Sequence, residues 1–130
     1  MPPAPKPILA EIHWEGNSRE VLTGFPDSVR ADLGFSLWEL QQGKTPGSAT
    51  RRMESVGPGV WELKEQDEKT WYRVLFVSKI DDVIYVLHCF EKQGRKTERR
   101  DLDIARERLA RVRARIQEQR KLKKHAKSNQ

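Results

Sequence analysis

The sequence predicts an α+β domain in which helices pack against a small antiparallel sheet. Three observations carry that prediction. Residues 60–90 hold three runs rich in aromatic and β-branched side chains, joined by connections so short that neighbouring runs must be antiparallel. The stretches before and after them place apolar residues at helical spacing. The 130 residues suit one compact domain, and no internal repeat divides them.

The elements follow in order. Met1-Pro2-Pro3-Ala4-Pro5-Lys6-Pro7 has four prolines in seven residues and reads as a flexible or extended arm. Ile8 to Trp14 reads as a first strand. Glu15-Gly16-Asn17-Ser18 is a turn, with Ser18 placed to cap a short helix through Leu22. Gly24-Phe25-Pro26-Asp27 breaks that helix, and Asp27 is positioned to cap the next. Val29, Leu33, Leu37, Trp38 and Leu40 then form one apolar stripe that ends at Gly43. Lys44 to Gly57 reads as a loop with some irregular structure, and Pro58-Gly59 as a turn.

Val60–Lys64, Thr70–Val77 and Val83–Phe90 are the strands of a β-meander, turning at residues 66–69 and 79–82. A last helix starts near Arg100 or Asp101. Its residues Leu102, Ala105, Leu109, Val112 and Ile116 make a narrow apolar seam that can dock on the body or on a partner helix, a second copy included. Past Gln117 the apolar content falls away and fraying is expected. The expected organisation is therefore an arm at 1–7, one domain at 8–117 and a basic frayed tail at 118–130, with the helices against one face of the sheet.

Charge is unevenly placed. Residues 92–127 hold 15 Lys+Arg and 5 Asp+Glu, whereas residues 1–91 hold 10 Lys+Arg and 14 Asp+Glu. A basic end on a mildly acidic body points to a polyanionic partner, with RNA the leading candidate. A single cysteine, Cys89, excludes an intramolecular disulfide and a Cys-based zinc site and fits a reducing cytoplasm. Its place in the apolar run Val83–Phe90 suits a packed side chain better than a nucleophile. There is no signal-peptide pattern and no run long enough to span a membrane. His13, His88 and His125 lie apart without metal-ligand spacing, and no phosphate-cradling glycine loop or nucleophile elbow occurs, so no metal or other cofactor is expected.

The meander places basic residues in apolar strands. Arg73 lies between Tyr72 and Val74, where a charge is costly unless it is paired or wet. Lys64 closes the preceding strand, His88 and Lys92 end the following one, and Arg95 and Lys96 come just after. Converging on one sheet surface, Arg73 would stabilise a pentavalent phosphate, Lys64, Lys92 or Lys96 would hold flanking phosphates, and His88 would move a proton. Trp61 and Trp71 are candidates for stacking on bases. Arg99 and Arg100 would extend the RNA-binding rim. Structural readings stand beside these: Arg73 paired with Glu62, His88 half-buried and satisfied, both tryptophans in the core. Period-two counting puts Trp71 and Arg73 on one face and Tyr72, Val74 and Phe76 on the other, without saying which faces solvent.

Gly59-Val60-Trp61-Glu62-Leu63-Lys64, Tyr72-Arg73-Val74-Leu75-Phe76, Leu87-His88-Cys89-Phe90-Glu91-Lys92, Lys96-Thr97 and Asp103-Ile104-Ala105-Arg106 together resemble the phage-related, HigB-like branch of the RelE/ParE toxin superfamily. The resemblance covers about residues 30–110. It implies a RelE-like fold and the toxin of a type II toxin–antitoxin pair, cleaving mRNA at the ribosome without metal and neutralised by a helix-turn-helix antitoxin. In that pattern Arg73 matches the central arginine, Lys64 takes the place of a usual arginine, and His88, Lys92 and Lys96 match the segment after the last strand. Glu91-Lys92-Gln93 stands where two consecutive lysines are common. Two other functions stay open at this level: a ParE-like toxin that poisons gyrase, and a non-catalytic nucleic-acid-binding module.

Overall fold

The computed structural model describes residues 9–92 and 99–128. The elements run β1 (Glu11–Trp14), α1 (Ser18–Thr23), α2 (Asp27–Gln41), β2 (Ala49–Arg52), β3 (Val60–Gln66), β4 (Trp71–Ile80), β5 (Val83–Lys92) and α3 (Arg99–Ser128). The five strands form one sheet in the order β1-β5-β4-β3-β2. The expected meander is there as β3–β4–β5, antiparallel throughout.

Two strands correct the expectation, one by breaking the antiparallel pattern and one by lying where a loop was read. β1 pairs with β5 in parallel, Glu11 opposite Val83 and Trp14 opposite Val86. Parallel neighbours need a long crossover, and here it contains α1, α2 and the strands β2–β4. β2, within the segment read as a loop, pairs antiparallel with β3 at the other edge, Arg51 opposite Glu62. Its four residues are all exposed, which left no apolar alternation to read.

The helices occupy both faces, not one. On one side Leu22, Phe25, Val29, Leu33 and Leu37 of α1, α2 and their junction pack on Leu63, Tyr72, Val74, Phe76, Ile84 and Val86. On the other, Ala105, Leu109, Val112 and Ile116 of α3 pack on Val60, Leu75, Val77, Tyr85 and Leu87. The central strands are apolar on both sides of their pleat, so either face left bare would leave apolar area in water at about 25 cal/mol per Å². The seam of α3 is thereby taken up by the chain's own sheet.

Local chemistry fixes the junctions. β4 and β5 are joined by Asp81 and Asp82 alone, both left-handed (φ 52° and 61°), the backbone of a type I′ hairpin. Register shifts between Leu75 and Phe76: Leu75 faces His88 while Phe76 faces Val86. The bulge sends both Leu87 and His88 toward α3. Pro26 and Asn17, not Asp27 and Ser18, occupy the cap positions of α2 and α1; Ser18 instead donates from Oγ to the Val86 carbonyl in the interior.

α3 does not fray after Gln117 but continues to Ser128. The added turns are built of Gln, Glu, Arg, Lys, Leu and Ala, good helix formers, with basic residues near the negative end of the helix dipole. No described helix is long and apolar enough to cross a membrane.

Candidate functional site

Strand register decides which side chains share the α3-side face. Val60, Glu62 and Lys64 of β3 alternate onto it, opposite Val77, Leu75 and Arg73 of β4. Trp71 and Arg73 lie opposite Lys92 and Phe90 of β5. Arg51 of β2 lies opposite Glu62. The seam of α3 covers the part of this face built from Val60, Leu75, Val77 and Leu87. The remaining part carries Arg51, Lys64, Arg73 and Lys92 around a single carboxylate.

That carboxylate is Glu62, fully buried at 0% exposure. Arg73, 5% exposed, donates from Nη1 to Glu62 Oε2 at 3.0 Å. Arg51 Nη2 stands 3.5 Å from Oε1, which accepts no hydrogen bond from the described residues. The Lys92 ammonium, 4% exposed, has no hydrogen-bond partner among the described residues. Burial, then the neighbouring Arg73, hold its pKa below the usual lysine range, against a weaker pull from Glu62. The Lys64 ammonium stands 5.0 Å above the Trp71 ring. Among the described residues, four cations thus surround one anion. One carboxylate cannot neutralise them, and the surplus positive charge favours an incoming phosphate.

The other expected residues fall into place around this cluster. Trp71 stands in it, whereas Trp61 points to the opposite face, packs against the α2-side core and lies beneath the Arg52 guanidinium at 5.2 Å. The two tryptophans therefore do not form one stacking platform. Trp61 lines a separate cleft of about 320 Å³ with Leu40, Pro46 and Phe76. That cleft lies away from the cations.

His88 is engaged at both ring nitrogens. Nε2 lies 2.7 Å from Asp101 Oδ1 and Nδ1 lies 3.4 Å from Arg108 Nη1. An acceptor at Nδ1 requires the neutral tautomer with the proton on Nε2. Burial lowers its pKa, Arg108 and Arg100 add to that, and Asp101 opposes it. The ring also stacks on Phe90, centroids 5.2 Å apart. The geometry makes His88 a clamp that holds the start of α3 on β5. Arg99 and Arg100 are exposed on that first turn, and Arg95 and Lys96 lie outside the described residues, as does the arm at 1–7. Cys89 is buried, and burial pushes its thiol up to about 12, which removes it as a nucleophile.

Sequence reasoning missed Arg51 and Arg108 and treated Glu62 only as a partner of Arg73. The signal for Arg51 was slight: Thr50 beside two arginines, ahead of a Gly-Pro-Gly turn. Arg108 sits among the polar positions between seam residues. It donates to the Leu87 carbonyl and to Asn17 Oδ1, each at 2.9 Å. Its guanidinium passes so close to Gly16 (φ +55°) that a Cβ there would meet it at 2.5 Å.

A mixed five-strand sheet, two helices on one face, one on the other and a cation-rich patch beside the last helix define a RelE-like α+β domain. Residues 20–110 match the family described as Phage derived protein Gp49-like (DUF891), well over half of the chain. The chain belongs to that family, which lies within the RelE/ParE-like toxin superfamily. No curated protein matches it.

Proposed function

We propose that the chain is the toxin of a type II toxin–antitoxin pair and that it cleaves mRNA at the ribosome without a metal ion. The observation that carries this reading is the buried Lys92 ammonium beside the Arg73–Glu62 pair, without a hydrogen-bond partner among the described residues. A phosphodiester seated there supplies the anion this cluster lacks. In the reaction the RNA 2′-hydroxyl attacks the adjacent phosphorus and the 5′-oxygen departs. Arg73, held by Glu62, stabilises the charge that builds on the phosphoryl oxygens. The lowered pKa of Lys92 eases loss of its own proton; the resulting amine is suited to accept the 2′-hydroxyl proton, and the Lys64 ammonium is suited to give one to the leaving oxygen. His88 acts through Asp101 as a positioning residue. The expected partner is a helix-turn-helix antitoxin that neutralises the toxin.

Ribosomes programmed with a defined mRNA test this. The wild-type protein is expected to cut the message and leave gyrase supercoiling untouched, and Arg73→Gln to lose at least about a hundredfold in rate. Intact mRNA with the wild type, or an Arg73→Gln protein as toxic to cells as the wild type, overturns the reading.

A further inference from the structure

The family match stops at residue 110, but α3 continues to Ser128. Ile116 is its last buried residue; from Gln117 to Lys127 every residue is exposed. Roughly three turns, about 17 Å of helix, therefore project beyond what the sheet needs. This projection holds five Lys+Arg against one Glu and no aromatic residue except His125.

The cations are ordered along the whole helix. Arg99, Arg106, Arg113, Arg120 and Lys127 recur at intervals of seven. Seven residues are nearly two turns, so the five form one row, stepped at about 10 Å and drifting only slowly around the axis. Lys123 and Lys124 widen the row at its far end. Three of its members brace against the body: Arg106 Nε donates to the Ser55 carbonyl at 2.8 Å, Arg113 Nη2 to the Pro58 carbonyl at 2.7 Å, and Arg120 Nη2 to the Asp81 carboxylate at 3.3 Å. These contacts hold the row on one side of α3 and leave most guanidinium donors of each arginine unused. Among the described residues Lys121, Lys123, Lys124 and Lys127 make no ion pair.

We propose that this row is a docking rail for the phosphate backbone of double-helical RNA, distinct from the cation cluster on the sheet. Charge selects a polyanion, and the rigid, regular spacing suits a polyanion that is itself rigid. The lack of Phe, Tyr and Trp on α3 selects duplex over single strand, because single-strand binding draws on aromatic stacking platforms, whereas a duplex is held through its backbone. The proposal rests on the reading that the protein works on RNA, but it needs no cleavage. The rail would fix the toxin to structured RNA while the sheet cluster addresses a single-stranded message.

The test is equilibrium binding of the full chain to a short blunt RNA duplex, and to one of its single strands, followed by fluorescence anisotropy across a salt series. Arg120→Gln, Lys124→Gln and Lys127→Gln are combined in one variant, with circular dichroism to verify that α3 stays helical. A chain ending at Gln117 serves as the second variant. Each lost phosphate contact is expected to reduce the slope of log affinity against log salt by about 0.9, so the triple variant should fall by roughly 2 to 3 on the duplex and far less on the single strand. An unchanged duplex slope in both variants overturns the proposal. So does an equal loss on the single strand. Displacement of the duplex by polyglutamate at equal charge would assign the rail to an acidic protein and also overturn it. A protein that cuts no mRNA yet shows the slope change refutes the cleavage reading alone.

Discussion

Glu62 sets the electrostatics of the sheet cluster from a position with no access to solvent. Its carboxylate pairs with Arg73 directly, stands 3.5 Å from Arg51 and attracts Lys92 through space. Removing one member of a buried pair strands the other, at a cost of about 3 to 5 kcal/mol. Glu62→Gln is accordingly expected to lower the unfolding free energy by about 3 kcal/mol in urea titrations, with part of the loss restored by added inorganic phosphate. His88 gives a pH signature. Because burial lowers its folded pKa below the ordinary 6.5, the unfolded chain binds more protons there between the two values. The contribution of His88 to stability is then fully present above pH 6.5 and is lost as pH falls through the folded value. Thermal melts across that range should show the decline, and His88→Asn should flatten it.

At the scale of elements, what could be read from sequence was whatever buried an apolar pattern. α2, the three central strands and the seam of α3 all announced themselves that way. β2 did not, because an exposed edge strand needs no apolar residue, and with it went Arg51. The parallel partnership of β1 with β5 was hidden for another reason: a four-residue strand carries no mark of which distant edge will receive it. Apolar residues on both sides of β4 and β5 prevented alternation from saying which face is covered, and the expectation of helices on one face alone failed because both faces are. In the site, Arg73 and Lys92 were legible as cations in an apolar strand, whereas the separation of Trp61 from Trp71 required knowing the register. Two substitutions probe the joints. Gly57 lies under α3, where an added Cβ would meet Leu109 Cδ2 at 2.5 Å, so Gly57→Ala should destabilise by about 1 to 3 kcal/mol through overpacking. Asp82 holds a left-handed conformation in the two-residue turn, so Asp82→Gly should stabilise by about 0.5 to 1 kcal/mol in the same urea titration.

At the scale of the whole molecule, the acidic body and the basic end are stitched together by α3. Arg115 bonds Glu15 Oε1 at 2.6 Å and Arg108 reaches Asn17, so the helix ties the entry to α1 to the end of the sheet. Beyond Gln117, Arg120 reaches Asp81, an exposed pair of small worth. A chain ending at Gln117 should therefore keep its unfolding free energy within about 0.5 kcal/mol. Loss of cooperative unfolding in that chain would show that the projection is part of the folded unit.

The parallel seam between β1 and β5 has a consequence in time. Glu11 to Trp14 must wait for Val83 to Val86, some seventy residues later, before their ladder can close. During synthesis β1, α1 and α2 emerge without the strand that completes them, and α3, which covers the other face of β5, comes later still. Contacts of such long range slow folding. The cation cluster needs β2, β3, β4 and β5 together, so a ribosome-bound nascent chain cannot assemble it until translation has passed Lys92 and cleared the exit tunnel. Under the function proposed above, this topology keeps the chain harmless to the ribosome that is making it.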